Sequence, residues 1–65
     1  MVFTITFSII VNDRPKAIHT ERIHVNRSEK IDDLDKHLEG ALEVFKTRNP
    51  GLDRLGVYAR GSLHI

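Results

Sequence analysis

Cysteine is absent from these 65 residues, proline occurs twice, and aromatic residues make up only 6%. Without cysteine there is no disulfide framework, no thiolate zinc site and no nucleophilic thiol. No apolar run is long enough to span a bilayer. The Met1-Val2-Phe3 start has neither the basic segment nor the long apolar stretch of a secretory leader. We therefore expect a soluble, cytoplasmic protein without membrane contact. At this length folding hides only about 60% of the surface that the unfolded chain exposes. A single domain over residues 1–65 must make its core suffice or extend it by self-association, so a homodimer is an expected partner state.

Net charge is +1, but it is spread unevenly. Residues 1–27 carry four cations against two acids, residues 28–45 carry two against six, and residues 46–65 carry four against one. The folded molecule should be electrically polarised, with its acids gathered in one element.

What is present is patterned. In Val2 to Val11 the odd positions Phe3, Ile5, Phe7, Ile9 and Val11 are apolar, while Thr4, Thr6 and Ser8 alternate with them. Period two marks a strand with one buried face. Asn12-Asp13-Arg14-Pro15 then supplies turn-forming residues, so a hairpin should follow. The second strand ends with Ile23 and Val25 on one face, but the same register runs back through Glu21 and His19. A bulge near Glu21 or Arg22 would move Ile18 and Thr20 onto the apolar face, as suits an edge strand.

From Ser28 onward, Ile31, Leu34, Leu38, Ala41, Leu42 and Phe45 recur at spacings of three and four, which predicts an amphipathic helix. Ser28 or Asn26 would cap it, and Asn49-Pro50-Gly51 would stop it, with Asn49 left-handed. Leu55 to Arg60 alternates again as a third strand, before Gly61-Ser62 and a short Leu63-His64-Ile65 tail. The order strand, strand, helix, strand fits an α+β fold: a small β-β-α-β two-layer sandwich with a three-stranded antiparallel sheet of order 2-1-3 and one helix on one face. Its core should comprise Phe3, Ile5, Phe7, Ile9, Val11, Ile23, Val25, Ile31, Leu34, Leu38, Leu42, Phe45, Leu55 and Val57.

Chemistry-bearing residues do not assemble into a motif. His19, His24, His37 and His64 lack ligand-type spacing, so no metal or other cofactor is expected. Ser8 can meet a histidine only across the sheet, at His24, with no orienting carboxylate, so no enzymatic activity is expected. Gly40 falls within the helix beside Val44 and His37; a glycine that the helix simply tolerates is the favoured reading, and close approach of another backbone is the alternative. Two surfaces remain. One is the open sheet face with Thr4, Thr6, Ser8, Arg22, His24, Tyr58 and Arg60. The other is a helix stripe of Asp32, Lys36, Glu39 and Glu43, suited to a basic partner. Ile18, Val44, Tyr58, Leu63 and Ile65 are apolar side chains left over for contacts. These features suggest a binding protein of the inhibitor or adaptor type, such as the accessory proteins of phages and mobile elements, with a protein as partner. Nucleic-acid binding on the basic sheet face is the alternative, using Arg14, Lys16, Arg22, Arg27, Arg54 and Arg60.

Overall fold

A computed structural model describes residues 1–64; Ile65 lies outside the described residues. Among them the chain forms β1 (Val2–Val11), β2 (Arg14–His24), α1 (Ile31–Arg48), α2 (Pro50–Arg54) and β3 (Tyr58–His64). The sheet order is β2-β1-β3, with both outer strands antiparallel to β1 and α1 packed on one face. The fold is α+β, and the best-patterned strand is the central one, as its alternation requires.

β1 and β2 are joined by a two-residue turn in which Asn12 and Asp13 both have positive φ, 52° and 63°. That geometry matches the twist of a hairpin, and asparagine and aspartate tolerate it because their short side chains bond locally. β2 is bulged, but not at Glu21 or Arg22. Phe7 pairs with His19 and Ser8 with Ala17, which leaves Ile18 as the extra residue. The bulge brings Ile18 against the core, while Thr20 stays opposite Thr6 on the other face. His19 and Glu21 consequently remain on the helix side, opposite Phe7 and Ile5.

α1 begins at Ile31 with Lys30 as its N-cap, not at Ser28 or Asn26. The backbone N–H of Lys30 donates to the Asp33 carboxylate at 3.2 Å, closing the first turn, while Asn26 is used in a preceding turn that accepts from Glu29 N at 3.1 Å. Ile31 thereby sits on the first turn beyond the end of the core and is 77% exposed. At the other end Asn49 is not left-handed (φ −133°, ψ 67°); its N–H and its side-chain amide both donate to the Phe45 carbonyl at 3.0 Å. Pro50 then starts α2, where its missing N–H costs nothing. Gly56, at φ +77°, supplies the left-handed residue that ends α2.

This short helix corrects the third strand. Leu55 belongs to the end of α2 and is 61% exposed, and Leu52 packs toward the core in its place. β3 starts at Tyr58 and runs through Gly61-Ser62 to His64, so the segment taken for a tail is strand. Val11, beside the turn, is 41% exposed and also leaves the expected core.

The buried apolar residues are Phe3, Ile5, Phe7, Ile9, Val25 and Val57, flanked by Leu34, Leu38, Leu42 and Phe45 of α1. Phe7 is fully buried and stacks on Phe45 with ring centroids 4.3 Å apart. Gly61 is required by packing of the same kind. It lies opposite Ile5 on the helix side, and a Cβ there would overlap the Phe3 ring. A Cβ on Gly40 would meet nothing within 4 Å.

Gly61→Ala should therefore destabilise the fold by about 1–3 kcal/mol, because the buried Phe3 ring must move. Gly40→Ala should stabilise it by up to about 1 kcal/mol, because helix propensity improves and nothing is displaced. Urea unfolding of the two variants beside the parent checks both signs.

Candidate partner-binding face

The register fixes which side chains share the uncovered face of the sheet. Four cross-strand rows run from β2 through β1 to β3: His24-Val2-His64, Arg22-Thr4-Ser62, Thr20-Thr6-Arg60 and Ala17-Ser8-Tyr58. All seven side chains expected on this surface, Thr4, Thr6, Ser8, Arg22, His24, Tyr58 and Arg60, lie in these rows. Thr20, Ser62 and His64 join them. Thr20 lies here and not on the helix side because the bulge is at Ile18, and Ser62 and His64 belong to β3 and not to a break and a tail. Their signal was parity, since Tyr58, Arg60, Ser62 and His64 are two residues apart throughout.

The molecule is only 16 Å thick, room for one sheet and one helix, and among the described residues no helix or strand packs over these rows. Their centre is hydroxylic and partly buried, with Ser8 only 5% exposed, while Arg22 and Arg60 flank it in solvent. No carboxylate occurs in any row. Among the described residues neither arginine has an acidic partner within 4 Å. Thr6, Ser8, Pro15, Tyr58, Arg60, Gly61 and Ser62 line an open depression of about 370 Å³ on this face. Ser62 Oγ lies 3.4 Å from His64 Nε2.

Asp32, Lys36, Glu39 and Glu43 are exposed along α1. These α1 acids lie on the layer opposite Arg22 and Arg60 of the sheet, although Lys46, Arg48 and Arg54 also belong to the helical layer and Glu21 to β2.

The Ser8–His24 meeting does not occur. Ser8 is opposite Ala17 and Tyr58, whereas His24 is opposite Val2, six residues or about 20 Å along β1. Among the described residues no three histidine, aspartate or glutamate side chains converge as metal ligands would. No helix is long and apolar enough to cross a membrane.

A second depression, of about 530 Å³, lies on the helix side between the β2 edge and α1. His19, Glu21, Gly40, Val44, Phe45 and Arg48 are among the residues that line it. His19 Nε2 lies 3.3 Å from Glu21 Oε1, and the imidazole stacks on Phe45 with centroids 5.6 Å apart. The histidine thus lies beside the Phe7–Phe45 pair, 5.8 and 5.6 Å from their centroids and nearly parallel to both, which accounts for a polar side chain in an apolar register.

No protein-family model, curated protein or solved structure matches this chain.

Two stability measurements separate these surfaces. Arg22→Ala and Arg60→Ala should each change stability by no more than about 0.5 kcal/mol, as expected of solvated side chains. His19→Ala should cost about 1 kcal/mol through loss of stacking. Thermal unfolding at fixed pH distinguishes the two classes.

Proposed function

We propose that this chain is a non-enzymatic binding module of the inhibitor or adaptor type, which presents the open face of its sheet to an acidic surface of another protein. The observation that carries this reading is the absence of any carboxylate from a face flanked by Arg22 and Arg60. Arginine binds carboxylates through paired N–H donors. The hydroxyls of Thr4, Thr6 and Ser62 between them supply further donors and acceptors without adding charge. The acidic α1 layer repels an acidic partner, which would direct the approach to the sheet side.

The same cations and Tyr58 support a second reading, contact with single-stranded nucleic acid through backbone charge and base stacking. One aromatic on the face and a net charge of +1 rank it below a protein partner.

Affinity capture from a host lysate, with and without nuclease and beside the double variant Arg22→Glu/Arg60→Glu, tests both. Proteins retained by the parent after nuclease treatment and lost from the double variant are the expected result. Loss of every captured species on nuclease treatment would reverse the ranking.

A further inference from the structure

The two edges of the sheet differ. β2 is interrupted at Ile18, begins Arg14-Pro15-Lys16, and carries Glu21 and Arg22, all features that discourage strand addition. β3 pairs with β1 over seven residues without a register shift, contains no proline and has one arginine. Its outer row of backbone donors and acceptors is therefore a straight, unprotected template.

We infer that β3 pairs antiparallel with β3 of a second copy, about a two-fold axis at Gly61. In that register Tyr58 faces His64 of the second copy, Ala59 faces Leu63, and Arg60 faces Ser62. Each pairing occurs twice and no like charges oppose each other. An axis at Arg60 would set the two arginines directly against each other. An axis at Ser62 would leave Tyr58 unpaired and set Arg60 against His64. The Gly61 register also explains an exposed apolar side chain. Leu63 lies opposite Phe3 on the helix side and is 41% exposed, and Ala59 of the second copy would cover it. Gly61 against Gly61 lets the two backbones close at the axis without side chains on the helix side. The product is a continuous six-stranded sheet with two carboxylate-free faces joined edge to edge.

This assembly stands apart from the proposed partner contact, because it is read with no partner present. Light scattering on a dilution series should give twice the 7.5 kDa monomer mass at high concentration and the monomer on dilution. Ser62→Arg places two arginine pairs across the seam and should raise the dimer dissociation constant about tenfold at low salt. Ser62→Glu should lower it, and circular dichroism of the dilute proteins checks that both variants fold. Backbone amides of β3 should all be protected from hydrogen exchange at high concentration, whereas those on the outer side of β2 exchange freely. A monomer at every concentration overturns the inference, as does a dimer whose dissociation constant is the same in Ser62→Arg and Ser62→Glu.

Discussion

The stack of Phe7 on Phe45, 4.3 Å between centroids and 9° between planes, is the contact that joins the two layers of this protein. Phe7 is at the middle of the central strand and fully buried, so it is reached from β2, from β3 and from α1 alike. The helix stripe of Leu34, Leu38 and Leu42 packs against the same buried cluster of Phe3, Ile5, Phe7 and Ile9. His19 lies beside both rings on the β2 side, and Ala59 lies opposite Phe7 on the β3 side. The bulge at Ile18 follows from the same centre. It lets one strand present both Ile18 and His19 around Phe7, where strict alternation would have turned Ile18 away.

So small a core leaves little margin, and the chain spends its conformational exceptions where the layers meet. Gly61 accepts the Phe3 ring where any Cβ would collide, and Gly56 turns the chain out of α2 and back to the sheet. Asn49 closes α1 with both its backbone and side-chain N–H groups on one carbonyl, which allows a new helix to start at the next residue. Gly40 belongs to none of these, because open space surrounds its missing Cβ.

Much of this was legible in the residues. β1 and α1 declare themselves because each has one buried face, and burial writes a period into the sequence: two in Phe3-Ile5-Phe7-Ile9, three and four in Leu34-Leu38-Leu42-Phe45. The strand order followed from the connection rules. What was not legible lay where two local structures compete for the same residues. Leu55-Gly56-Val57 alternates like a strand, yet Leu55 and Gly56 are needed to end a helical turn that only Pro50 announces. Glu21 and His19 looked misplaced because a half-exposed edge tolerates polar groups that a central strand would not, and periodicity cannot distinguish edge from fault. The open-face residues Ser62 and His64 were lost with the true end of β3, and Thr20 with the true place of the bulge.

The charge pattern of the open face follows from the strand order. A side chain in the middle of β1 is flanked by both neighbours, and even on the uncovered side Ser8 keeps 5% of its exposure. An arginine or lysine there would lose hydration without gaining a partner. A hydroxyl remains compatible with either a solvated or a covered sheet. On the outer strands the side chains reach water, and Arg22 and Arg60 can keep their charge at almost no cost to the fold. A hydroxylic centre between cationic flanks is thus what a three-stranded sheet with one open side can carry. An anionic partner laid across the strands would meet an arginine on each side before its desolvated middle reached the threonines. Binding on such a face would gain its orientation from the flanks and its fit from the centre.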